Sequence, residues 1–126
     1  MQELYHKKIM DHYHASPYRG QINNPDFTTD ATSPSCGDRI IFTGSCSEST
    51  LTDLKFEGDG SIIGQAAASM LCERVIGHSF DEILALTTDD LMQLLGIELG
   101  PTRKRTVTFV LETLQNAVRT THVEPT

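Results

Sequence analysis

The side chains with the most chemistry in this chain are its three cysteines, Cys36, Cys46 and Cys72, and its five histidines. Cys36 stands in Pro34-Ser35-Cys36-Gly37-Asp38, with a carboxylate two residues after the thiol. As a nucleophile it would need a base within hydrogen-bond reach, and the sequence places none of the histidines there. A free cysteine alone is most often a small buried hydrophobe, and Asp38 alone reads as a turn aspartate bonding its own backbone. His12 and His14 are two residues apart, a spacing that turns them to different sides of a helix rather than onto one metal. An odd number of widely spaced cysteines argues against a disulfide framework and for reduced thiols, and no C-x-x-C zinc motif is present. In Gly58-Asp59-Gly60, Asp59 reads as a turn residue, and Ser61 after it is a good N-cap. Arg103-Lys104-Arg105 is the one short basic run, which either pairs with the carboxylates of a partner or solvates a helix start.

These residues must be positioned by the elements around them. Tyr5, Ile9 and Tyr13 recur at helical spacing, with Leu4 and Met10 beside them, and predict an amphipathic helix over 2–15, stopped by Ser16-Pro17. Two β-branched and apolar stretches, Asp38 to Thr43 and Leu51 to Phe56, flank a polar turn from Gly44 to Ser49 and predict an antiparallel hairpin; a third, weaker strand covers Phe27 to Thr32. Cys46 then falls in the hairpin turn. Ile62, Ile63, Ala66, Ala67, Met70 and Leu71 predict a buried helix over 61–76, which places Cys72 as a structural thiol. Ser79-Phe80-Asp81-Glu82 is a capping box opening a short helix through Leu86, and Thr87 or Thr88 caps another that carries Leu91, Leu94 and Leu95. Pro101 starts a last helix, with Val107, Val110, Leu111, Leu114 and Val118 on one face over 101–118. Strands first and helices afterwards predict an α+β fold, a small three-stranded antiparallel sheet with helices packed on it.

The bulk numbers narrow the classes. A length of 126 residues fits a single domain over 1–126, with 119–126 expected as a flexible tail, and 38% apolar with 21% charged residues is a globular profile. A net charge of -7 repels phosphate backbones, so nucleic acid is not an expected partner. No apolar run is long enough for a membrane span and the amino terminus lacks a signal-peptide pattern, so the expected compartment is cytoplasmic.

Two segments resemble a known family. Tyr5 to Gly20, reading Tyr-His-Lys-Lys-Ile-Met-Asp-His-Tyr-His-Ala-Ser-Pro-Tyr-Arg-Gly, is similar to the opening helix and loop of the U-type iron-sulfur cluster assembly scaffolds, IscU, SufU and the amino-terminal domain of NifU. Pro34-Ser35-Cys36-Gly37-Asp38-Arg39-Ile40-Ile41 matches their first ligand loop, and Phe56-Glu-Gly-Asp-Gly-Ser-Ile-Ile followed by Ala66-Ala-Ala-Ser-Met matches the second. The resemblance covers roughly 3–118. It implies a scaffold fold and a site where three cysteines from three loops, with an aspartate two residues after the first, hold a nascent [2Fe-2S] cluster or zinc. Thiolates suit iron in a sulfide-bridged cluster, and one weak oxygen ligand keeps the site labile.

Carried over by residue, Cys36 takes the first cysteine position and Asp38 the aspartate position, while the second and third cysteine positions fall on Ser61 and Thr106. Asp59 is the further oxygen candidate. Neither hydroxyl replaces a soft thiolate, so binding of an iron-sulfur cluster, iron or zinc is expected to be weak or absent. Arg105 stands where relatives carry histidine or lysine. Leu99-Gly-Pro-Thr-Arg103 keeps only part of the Leu-Pro-Pro-Val-Lys motif that a dedicated heat-shock chaperone reads, and the SufU insertion before the third cysteine is missing at 96–106. The expected role is a non-enzymatic scaffold or adaptor that holds or relays iron, sulfur or an assembly partner. A cysteine desulfurase and a second copy of the chain are its expected partners, with Cys36 as sulfur acceptor or residual ligand. The alternative is a metal-free regulatory interaction module on the same fold.

Overall fold

Strands that are apolar on one face only bury that face by pairing and by taking helices onto it. In the computed structural model, which describes residues 2–35, 37–98 and 100–122, β1 (Phe27–Thr32), β2 (Arg39–Ser47) and β3 (Thr50–Asp59) form one antiparallel sheet in the order β1-β2-β3. The α+β architecture expected from the sequence is the one observed. Ile40, Phe42, Leu54 and Phe56 are fully or almost fully buried on the sheet.

The hairpin differs from its expected form. Ser47 pairs with Thr50, so the turn is only Glu48 and Ser49, both with positive φ (52° and 64°), as the twist of a two-residue hairpin demands. Gly44 to Ser47, expected in the turn, belong to β2. Gly44 lies opposite Phe27, and a Cβ on it would run into the Phe27 ring. The glycine marks an aromatic side chain lying over the sheet, not a turn. Cys46 accordingly sits in β2 at a register shift, where its backbone N–H donates to Asp26 Oδ2 at 2.7 Å.

Helices α1 (Gln2–Ala15), α2 (Ile62–Val75), α3 (Phe80–Leu84), α4 (Thr88–Leu95) and α5 (Pro101–His122) complete the chain. α2 is buried along nearly its whole length and packs against α1, α4, α5 and β3. Gly64, Ala66, Ala67, Ala68 and Ser69 are small enough to allow that many neighbours. Capping boxes at Ser79/Glu82 and Thr87/Asp90 start α3 and α4. α5 runs to His122, so Arg119 to Thr121, expected in a tail, are helical, because no Gly or Pro intervenes before Pro125 to stop it. The remaining tail, 123–126, lies outside the described residues. No helix among the described residues is long and apolar enough to cross a membrane.

The loop after α1 covers the free edge of β3. Phe56 N–H donates to Tyr18 O at 2.9 Å, Gly20 N–H donates to Phe56 O at 2.8 Å, and the Arg19 guanidinium lies 4.9 Å over the Phe56 ring. α1 itself places Ile9 in the core and is otherwise fastened to α2 by polar groups: His12 Nδ1 lies 2.7 Å from Ser69 Oγ, which lies 2.6 Å from Ser16 Oγ.

Burial lowers the His12 pKa, against the opposing pull of Glu73, whose carboxylate is 3.7 Å from Nε2. The folded state thus binds this proton less readily than the unfolded chain, whose imidazole titrates near about 6.5. Stability from this group is complete above about pH 6.5 and is lost as pH falls through the depressed folded value. Thermal melts at a series of pH values are expected to show the unsubstituted protein losing Tm below about pH 6.5, with a flatter profile for His12→Gln; parallel profiles would refute the latch.

Candidate functional site

The site grows from the start of α2. A helix has amide donors in its first turn with no partner inside the helix, and here Ser61 and Ile62 are exposed while Ile63 and Gly64 are buried. Ser61, extended at φ -71°, is the N-cap, and its Oγ accepts from Gly64 N–H at 3.0 Å. Its hydroxyl proton goes to Asp38 Oδ2 at 2.8 Å, and its own N–H donates to Asp38 Oδ1 at 3.1 Å. Asp38 is only 3% exposed, so both oxygens of a buried carboxylate are spent on one serine. Gly37, at φ +73°, gives the loop the left-handed turn from which Asp38 O accepts Ser33 N–H at 2.7 Å.

Thr106 enters from α5. It is 3% exposed, and its Oγ1 donates to Thr102 O at 3.3 Å in the preceding turn. A methyl group placed on Gly64 would lie 2.7 Å from Asp38 Oδ2, 3.1 Å from Ser61 Oγ and 3.1 Å from Thr106 Cγ2. Three of the four positions named from the resemblance therefore meet over one glycine, although they come from three parts of the chain. The fourth, Cys36, lies outside the described residues, as does Leu99 of the segment compared with the chaperone motif.

Asp59 goes elsewhere. It is exposed, pairs in register with Arg39, and its charge acts on the Arg39 guanidinium. Arg105 is exposed and donates to Thr102 Oγ1 at 3.3 Å. Cys72 is fully buried on α2 and burial pushes its thiol pKa up; Cys46 is also raised, to about 11, by burial and then by Asp26. Neither is a thiolate at neutral pH. Among the described residues, no group of three His, Cys, Asp or Glu side chains is placed to share a metal.

Sequence reasoning missed three participants. Gly64 is the floor on which the side chains meet, and Gly60, at φ +122°, has no room for a Cβ because the Asp38 carboxylate occupies it. Gln65 is 7% exposed; its Oε1 accepts from Arg19 Nη1 at 2.8 Å while its Nε2 donates to Gly60 O at 3.4 Å. The helical spacing of the α2 apolar residues hides Gln65 among them, and only its polarity in a buried stripe signals the link.

The three-stranded sheet and the helices packed on it form a small α+β fold shared with a NifU-like protein (N-terminal) from Brucella abortus, which matches at a TM-score of 0.78 over 98% of both chains with 19% identity. Residues 4–124 match the family described as NifU-like N terminal domain, and the chain belongs to that family. Similar to it in sequence are the iron-sulfur cluster assembly scaffold protein IscU of Thermotoga maritima, 29% identical over 107 residues covering 85% of this chain and 75% of that protein, and the zinc-dependent sulfurtransferase SufU of Bacillus subtilis strain 168, 30% identical over 132 residues covering 91% and 89%.

The geometry separates the two neighbouring aspartates by role. Asp38→Ala removes the acceptor of both the Ser61 N–H and the Ser61 hydroxyl in a part-buried cluster and is expected to destabilise the fold by about 1–2 kcal/mol. Asp59→Ala, on the surface, is expected to stay within about 0.5 kcal/mol. Urea unfolding of both variants measures this, and equal midpoints would show that Asp38 is not the clamp.

Proposed function

We propose that this chain is a scaffold-family protein of iron-sulfur cluster assembly that holds or relays iron, sulfur or an assembly partner, and that its own cluster binding is impaired or absent. The observation that supports this most directly is the meeting of Asp38, Ser61 and Thr106 over Gly64. It is the arrangement a three-loop ligand site requires, with hydroxyls at two corners.

The donors do not fit a soft metal. Thr106 Oγ1 is turned back onto its own helix, Ser61 Oγ is used in capping α2, and both Asp38 oxygens accept from Ser61. Alcohols have no thiolate character at neutral pH, and a structural zinc normally takes four well-placed donors. Cys36 in this reading is the sulfur acceptor or residual ligand, with Asp38 as its oxygen companion. The relatives named as scaffold proteins and as a sulfurtransferase support a place in sulfur and cluster handling, with a cysteine desulfurase and a second copy of the chain as the partners. The work is holding and passing on, without turnover of a substrate.

A second reading, a metal-free interaction module, is favoured by the same carboxylate. Asp38 is already hydrogen-bonded through both oxygens to Ser61, so the fold needs no ion to satisfy it.

Anaerobic reconstitution with iron and sulfide, followed by visible absorption and metal counting, tests the proposal. The unsubstituted protein is expected to retain no stoichiometric cluster or zinc. Ser61→Cys with Thr106→Cys restores two thiols beside Asp38 and is expected to gain binding, the helix start favouring the thiolate at position 61 at a loss of about 1 kcal/mol of capping. A stable cluster in the unsubstituted protein would overturn the loss of ligands, and an empty but folded double variant would overturn the assignment of positions 61 and 106.

A further inference from the structure

Between the Ser33–Ser35 segment and the first turns of α5 lies an open cavity of about 530 Å³. Its apolar floor is made by Pro34, Pro101 and the partly buried Phe109, and Lys104 and Arg105 stand on its wall. The volume is within the range of about 300–1,000 Å³ usual for binding sites.

The charges on this face are not accounted for by the fold. Arg103, Lys104 and Arg105 are consecutive and exposed in a chain of net charge -7, yet none of them forms an ion pair with a described residue. Among the described residues, Arg105 bonds to Thr102 in its own turn, and Glu112, also on the cavity wall, lies nearly two helical turns further along. α5 has no acidic residue in its first turn. Three cations therefore occupy the positive end of a helix dipole, where acids are preferred. Their placement is unfavourable for the isolated domain.

An occupant that removes this imbalance must bring negative charge to Lys104 and Arg105 and an apolar group to Phe109 and the two prolines. We propose that the groove docks a short acidic segment of a partner protein carrying one aromatic or aliphatic side chain. The carboxylates pair with Lys104 and Arg105, Arg103 adds long-range attraction from outside the groove, and the apolar side chain lies over Phe109. A nucleic acid also meets the cations and can stack a base on Phe109, but its phosphate backbone extends beyond the groove over a chain of net charge -7, whereas a short acidic segment is confined to the groove. The site works whether or not a metal is held beside Asp38, so its failure and that of the ligand-site reading are separately visible.

NMR titration of the full chain with the peptide acetyl-Asp-Glu-Phe-Asp-Glu-amide tests this. Saturable shifts are expected at the amides of Ser33, Ser35, Lys104, Arg105, Thr108 and Phe109. The same peptide with glycine in place of phenylalanine is expected to bind more weakly, and Lys104→Glu with Arg105→Glu to weaken binding at least about tenfold. That variant is expected to melt at the same temperature or higher, since acids suit a helix start, which excludes unfolding as the cause. No shifts up to about 5 mM peptide, shifts centred elsewhere, equal binding of the glycine peptide or of a short RNA, or unchanged affinity in the charge-reversed variant would each overturn the proposal.

Discussion

The amide donors in the first turn of α2 have no partner inside the helix, and Asp38 and Ser61 supply acceptors there, at an exposed end of a helix that is buried from Ile63 onward. The demand spreads outward from there. Gly60 can only be glycine beside the Asp38 carboxylate, Gly64 has no room for a side chain among Asp38, Ser61 and Thr106, and Gly37 must turn left-handed for Asp38 to arrive. The Cys-Gly-Asp loop, the end of β3 and the start of α2 are thus one mechanical object. Its centre is a buried carboxylate whose removal would take the acceptor from both the Ser61 N–H and the Ser61 hydroxyl.

That centre constrains the chemistry available beside it. Ser61 takes one lone pair on each Asp38 oxygen, so an ion held there shares the carboxylate with the cap of α2 and competes with it for the carboxylate's orientation. The hydroxyls of Ser61 and Thr106 resolve the competition in favour of the fold, since each is satisfied by the backbone of its own helix. A thiol at either place would bond the backbone weakly and leave its sulfur open to a soft cation.

The site is also tied to the opposite end of the molecule. Arg19 donates to Tyr13 O at the end of α1 and to Gln65 on α2, stacks on Phe56 of β3, and through Gln65 reaches Gly60 O. The loop that guards the β3 edge therefore braces the turn that presents Ser61. α1 is tied to α2 by Ile9 in the core and by the polar contacts of His12 and Ser16 with Ser69.

Features encoded within a few residues were legible in the sequence. The capping box at Ser79, the cap at Thr87 or Thr88, the N-cap at Ser61, the Pro101 start and the helical stripes of α2 and α5 are local, since a helix satisfies its own hydrogen bonds and shows its buried face at fixed spacing. Positions 38, 61 and 106, which meet over Gly64, were legible only through resemblance to relatives, for nothing in their spacing says that residues so far apart come together. Tertiary packing decided the rest. It put Gly44 in a strand because Phe27, seventeen residues earlier, lies over it, and it chose Asp38 over Asp59 as the buried acid because only Asp38 faces the start of α2. It made His12 a latch because Ser69, from another helix, reaches its ring. Each outcome depends on which distant side chain fills the space beside a residue, and that is settled only when the elements pack.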